Sequence, residues 1–196
     1  IDEGVIITSG NAIDASGPNS ATGTGANLGG AGDPDLTQLA GNGTFDAAGI
    51  QFDFTPTQPV ITFDFAFGSE EYCSFVNSSF NDVFGFFISG PGINGPFSNN
   101  ARNLAVIPGT NTPVTINSIN ENTNGAFYLK NELQGEATGC GVAFAPVAPG
   151  DIEYDGFTTV LTAVANVIPC ETYTIKLVIA DAGDGILDSG VFLAAN

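Results

Sequence analysis

Apolar residues recur along this chain in two ways. In 50-IQFDF-54 and 61-ITFDFAF-67 every second residue is apolar, with Gln, Asp, Thr or Ala between. That is the period of a strand with one buried face. In 83-VFGFFISG-90 and 104-LAVIPG-109 the apolar run is nearly continuous, as in a strand covered on both faces. Further strands are predicted at 4–10, 114–119, 126–130, 157–167, 172–180 and 190–195, where β-branched and aromatic residues dominate. Turn-forming clusters separate them: 55-TPTQP-59, 90-GPGINGP-96, 108-PGTNTP-113 and 149-PGD-151. Strands at this regular spacing predict an all-β fold, a jelly-roll-like β-sandwich with one short helix and long loops.

The helix is expected at 33-DPDLTQLAG-41. Asp33 suits the cap, Pro34 the first turn, Asp35 the positive end of the helix dipole, and Gly41 the stop. Before it, 11-NAIDASGPNSATGTGANLGGAGD-33 has many small residues and no period, so a long irregular loop is predicted there, of the kind a ligand orders. Neither a repeat nor a linker divides the chain, and a single domain over 1–196 is expected.

Charge changes the picture. There are 21 acidic residues against three basic ones, no His, and a net charge of −18. Nucleic acid and anionic membranes need Lys and Arg to neutralise phosphate, so neither is an expected partner. No apolar run is long enough to span a bilayer, and membrane insertion is not expected. Self-repulsion of this size destabilises a compact state, and bound cations relieve it. So few Lys and Arg also leave little for trypsin-like proteases to cut, which suits life outside a cell. Cys73, Cys140 and Cys170 allow at most one internal disulfide. One bridge, formed in an oxidising compartment, is expected, with all three pairings open.

Acidic groups stand at strand ends. They are 68-GSEEYCSF-75 after one strand, 80-FNDVFGFF-87 opening another, 181-DAGDGILDSG-190 between two more, and a weaker fourth, 153-EYDGF-157. Calcium (Ca2+) takes six to eight oxygens from carboxylates, amides and backbone carbonyls. No single loop here matches an EF-hand, but sandwich loops cluster at the two ends of the fold. The expected metal set is therefore Glu70, Glu71, Asn81, Asp82, Asp181, Asp184 and Asp188, with Glu71, Asp82, Asp181 and Asp188 as its carboxylate core. Glu70 and Glu71 are adjacent, so on a strand they point to opposite faces and make a poor acid–nucleophile pair for glycoside cleavage. Without His there is no Ser-His-Asp triad. Catalysis is not expected. Tyr72, Tyr128, Tyr154 and Tyr173 are read as core-edge residues rather than sugar platforms.

Several blocks carry a resemblance: 66-AFGSEEYCSFVNSSFNDVFGFFISGPG-92, 103-NLAVIPGTNTPVTINSIN-120, 154-YDGFTTVLTA-163, 169-PCETYTIKLVIADAGDGILDSGVFL-193 and the opening 4-GVIITSGNA-12. Together they cover nearly the whole chain, which resembles the choice-of-anchor L domain. The resemblance implies a β-sandwich without defined activity, in large secreted and cell-surface proteins of Bacteroidota-type bacteria, often exported by the type IX route. It implies adhesins, gliding-related proteins or surface fibres. The family's acidic blocks correspond to Glu70, Glu71, Asn81, Asp82, Asp155, Asp181, Asp184 and Asp188. Family members usually carry a further segment before the strand at 4–10, so here that segment is expected either to have been cut away or to be replaced by a strand from another subunit. The function expected is a calcium-stabilised structural or adhesion module. Its partners would be cell-surface or matrix components, including glycans, or further copies of itself in an extracellular filament with strand exchange.

Overall fold

A computed structural model describes residues 1–131 and 151–195; Cys140 and most of the predicted turn at 149–151 lie outside the described residues. The expected all-β sandwich is present, as two antiparallel sheets and one α-helix. The strands are β1 (Gly4–Thr8), β2 (Thr44–Phe54), β3 (Val60–Ser69), β4 (Val83–Ser89), β5 (Arg102–Asn103), β6 (Tyr128–Lys130), β7 (Gly156–Thr158), β8 (Leu161–Asn166), β9 (Tyr173–Ala182) and β10 (Ser189–Ala194). One sheet runs β1-β10-β3-β7-β6, with β8 also paired to β3; the other runs β2-β9-β4-β5. β3 meets β10 along one edge, while β8 and then β7 share the other.

The alternation in 61–67 does what it predicts: Phe65 and Phe67 are fully buried between the sheets, against Phe84, Phe86 and Ile88 of β4 and Ile175, Leu177 and Ile179 of β9. β4 is apolar on both faces because its outer face is covered too. The helix α1 (Pro34–Ala40) lays Leu36 on Val83, Phe87, Val178 and Ala180. Its ends match the sequence reading. The Asp33 side chain accepts from the Asp35 and Leu36 amides, and Gly41 closes the helix in the left-handed region at φ 71°. Lys176 fixes α1 to β9 through Asp33 and Asp35, at 2.6 and 2.8 Å. Burial opposes charge on Asp35, but Lys176 and Ser98 outweigh it and hold its carboxyl below the usual range. All four tyrosines are buried, as core residues.

Four strand expectations are corrected. The apolar stretches 104–109 and 114–119 are buried at Leu104, Ala105, Ile107, Val114, Ile116 and Ile119, but they form only isolated bridges. At 104–109 Asn103 is the cause. Its Oδ1 accepts from the Phe86 and Ala105 amides and its Nδ2 donates to the Ala105 carbonyl, so a side chain replaces the ladder. The stretch 157–167 divides into β7 and β8, where the Thr159 amide turns aside to the Phe127 carbonyl. β2 begins at Thr44 rather than 50, with its register shifting between Phe45 and Ala48.

Candidate metal centre at the acidic end of the sandwich

Antiparallel pairing brings the end of β3, the start of β4, the end of β9 and the start of β10 to one end of the molecule. The acidic groups therefore meet there. Asp82, at the entrance to β4, is buried. Its Oδ1 accepts from the Ala182 amide at 2.9 Å and its Oδ2 from the Ser189 hydroxyl at 2.7 Å. Ser189 in turn exchanges hydrogen bonds with Ser9, its carbonyl accepting from the Ser9 amide and its amide donating to the Ser9 hydroxyl. Asp82 thus ties β4 and β9 of one sheet to β10 and β1 of the other. Burial, reinforced by Asp184 and Asp188, still pushes its carboxyl up to about 7.

Around Asp82 stand carboxylates with no such donors. Asp181 is 1 % exposed, and neither of its oxygens has a hydrogen-bond partner. Ser9 lies close enough to favour its charged form, but the Ser9 hydroxyl donates to the Ser189 carbonyl at 3.3 Å. Burial first, then Asp82, Asp188 and Asp46, push Asp181 up to about 9. Glu71 has a buried Oε2 without a partner. It too is pushed to about 9, by burial and then by Asp82 and Asp184. Asp188 accepts from the Ala26 amide at 3.0 Å through Oδ1, while its Oδ2 has no donor; burial raises its pKa most, with Asp14 and Asp46 adding. The expected core of Glu71, Asp82, Asp181 and Asp188 is one electrostatic neighbourhood, with half-buried Asp184 at its margin.

The other two expected residues go elsewhere. Asn81 accepts from the Asn117 amide at 3.0 Å and so clips the 115–118 turn. Glu70 lies with Glu71 in the turn that follows β3, but its acidic neighbours are different ones, Glu153 and Asp155. Its Oε2 accepts from the Gly23 amide at 3.3 Å and its Oε1 is buried without a donor. Burial, then Asp155 and Glu153, raise it to about 9. The Tyr154 hydroxyl feels Asp188, Glu70 and Asp181 together, and burial followed by these charges raises it above the ordinary phenol range. It meets the Thr8 hydroxyl at 3.1 Å.

Sequence reasoning missed the partner of these acids, the segment 16–32. This strap crosses the acidic end and donates backbone amides to it. Ser20 and Ala21 bind Glu153, Gly23 binds Glu70, Ala26 binds Asp188, and Leu28 and Gly30 bind Asp46. The Ser20 and Thr24 hydroxyls add two more bonds to Glu153. The irregular loop is ordered by carboxylates. Asp46, buried at the β2 irregularity with φ 49°, had no signal beyond its charge.

Gly10 admits Asp188: a methyl group there would fall 1.6 Å from Asp188 Oδ2. Gly10→Ala is expected to swing that carboxylate aside, break its bond to the strap and cost about 1–3 kcal/mol, the usual range for overpacking. Thermal melting checks this, and an unchanged midpoint would refute it.

Among the described residues five carboxylate oxygens at this end are thus buried without donors: Glu70 Oε1, Glu71 Oε2, both of Asp181, and Asp188 Oδ2. Burying such acceptors is costly unless a proton or a cation neutralises them. Among the described residues no three of these groups close on one point as a finished cage. Donors that are all carboxylate oxygens suit a hard cation such as Ca2+ and not zinc or copper. No curated protein and no solved structure matches the chain. The family model of the Choice-of-anchor L domain matches residues 1–196. The sandwich, the acidic blocks and this match over the full length agree: the chain belongs to the Choice-of-anchor L domain family.

Proposed function

We propose that this domain is a non-enzymatic structural or adhesion module whose acidic end binds calcium through Glu71, Asp82, Asp181 and Asp188. Family membership makes it a secreted or surface-associated module, and such domains are not known as enzymes. Among the described residues no helix is long and apolar enough to cross a membrane. The observation that carries the calcium reading is Asp181, fully buried with two donorless oxygens beside Asp82 and Asp188. An ion shared by these residues joins the ends of β3, β4, β9 and β10. The test is thermal melting in calcium and in chelator, where equal midpoints would sink the reading.

A second reading, a filament subunit, has its own support. β2 is an edge strand of 11 residues. The strap covers only its first part, at Gly30 and Ala31, and beyond Ala47 its outer edge pairs with no strand among the described residues. Ile50 and Phe52 are exposed there. Such an edge accepts a strand from a neighbour. Electron microscopy at rising concentration tests this, and monomers throughout would reject it. The glycan reading is supported by a cleft of about 640 Å³ lined by Arg102, Asn111, Thr162 and Asn166 among others; a glycan array without a hit would remove it.

The disulfide belongs to this extracellular reading. Cys170 is exposed and free, so the bridge proposed here is one between the other two cysteines of the sequence, Cys73 and Cys140. One equivalent of a thiol reagent is expected to label the native, unreduced chain, at Cys170. Labelling of Cys73 or Cys140 on peptide mapping would refute the bridge.

A further inference from the structure

We propose that the acidic end holds a second divalent-cation site, separate from the first, in which Glu70, Asp155 and Asn19 face the ion and Glu153 fastens the strap over it. The proposal extends the calcium reading to a different set of residues, and the two stand or fall separately.

Glu70 and Glu71 are neighbours in the turn after β3, yet different acids surround them. The charges acting most strongly on Glu71 are Asp82 and Asp184, and on Glu70 they are Asp155 and Glu153. Glu70, Glu153, Asp155 and Asn19 are all at most 5 % exposed. Two acceptors among them lack any donor, Glu70 Oε1 and Asn19 Oδ1. The Asn19 orientation is fixed by its other end, because Nδ2 donates to Asp155 Oδ1 at 2.8 Å and to the Asn131 carbonyl at 3.0 Å. Its Oδ1 is therefore an acceptor by construction, buried beside acids.

Glu153 plays a different part. Its two oxygens accept from the Ser20 amide and hydroxyl, the Ala21 amide and the Thr24 hydroxyl, at 2.9 to 3.2 Å. It adds charge to the neighbourhood and anchors the strap, leaving Glu70 and Asp155 as the carboxylates nearest the ion. Carboxylate, carboxylate and amide oxygen are the mixed hard donors that calcium takes. The amide of Gly23 reaches Glu70 from the same strap, so filling this site orders 19–24.

The test counts calcium ions per chain by equilibrium dialysis and follows amide exchange in 19–24. Wild type is expected to bind two ions, Glu70→Gln one and Asp181→Asn one, with calcium slowing exchange at Ser20, Ala21 and Gly23 in wild type but not in Glu70→Gln. Glu70→Gln replaces a buried carboxyl that has a donorless oxygen and is expected to melt no lower than wild type in chelator. If it fails to fold, Asp155→Asn takes its place. A single ion that survives Glu70→Gln, or a single ion that either substitution abolishes, overturns the second site and leaves the first. A single ion lost in Glu70→Gln but kept in Asp181→Asn supports this site and overturns the first. No bound ion overturns both.

Discussion

Replacing Asp181 with Asn is expected to raise the melting temperature of the chelated protein and to abolish the further rise that calcium gives the wild type. The two halves have one cause. Asp181 is buried beside Asp82 and Asp188 with no donor to either oxygen. In chelator at neutral pH the folded chain must hold a proton there, while the unfolded chain has an ordinary ionised carboxylate. That mismatch costs about 1.4 kcal/mol per pH unit above the unfolded value, on the order of 4 kcal/mol at neutral pH as a ceiling. Asn escapes it, but leaves its own amide poorly paired at about 1–3 kcal/mol, so a net gain of about 1–3 kcal/mol is expected. At roughly 2–4 °C per kcal/mol for a domain of this size, the rise is several degrees. In calcium the order reverses. A hundredfold excess over Kd stabilises the wild type by about 2.7 kcal/mol, and the variant lacks that ligand. A variant that melts lower than wild type in chelator, with an undiminished response to calcium, would refute this account.

Stability in chelator is expected to fall as pH rises from 5 to 8, against the usual behaviour of an acidic protein. Glu70, Glu71 and Asp181 are pushed to about 9 and Asp82 to about 7, in each case mainly by burial. Their unfolded values lie near 4. Each folded pKa exceeds its unfolded one, so between these limits the folded chain binds more protons, and stability declines with pH. The contribution is complete below about 4, shrinks through the neutral range and is gone above the folded values. Asp35 runs the other way, its carboxyl lowered in the fold. Its contribution is lost only in acid, outside the pH 5–8 window. Calcium displaces the protons, so its stabilising effect is expected to grow with pH and its binding to release protons. Melting at pH 5 and pH 8, with and without calcium, checks both. A chelated protein that is more stable at pH 8 would overturn the reading.

Much of the fold was legible because local pattern and tertiary environment agree. Alternation in 61–67 became one buried face, the continuous run at 83–89 became a strand between core and helix, and the caps of α1 stood in the sequence. The failures have local causes. Asn103 takes over a ladder's hydrogen bonds, and no apolar pattern announces that. The bulge between Phe45 and Ala48 hid the start of β2. At the acidic end, strand ends in antiparallel order were enough to bring Glu71, Asp82, Asp181 and Asp188 together. The separation of Glu70 from Glu71 was not legible in strand alternation, because β3 ends at Ser69 and both lie in the turn after it. The strap was invisible because much of its order comes from two carboxylates more than a hundred residues away, Glu153 and Asp188, while its own residues are small and aperiodic.

The antiparallel pairing of β1 with β10 has a mechanical consequence. Gly4 lies opposite Ala194 and Thr8 opposite Gly190, so tension applied through Gly4 and Ala194 loads the pair as a zipper, breaking one hydrogen bond after another. Peeling would run inward from the outer pairs and halt where Ser9, Ser189 and Asp82 interlock. Resistance to pulling would then be set at the acidic end, and dissolved calcium would tune the force at which the module gives way.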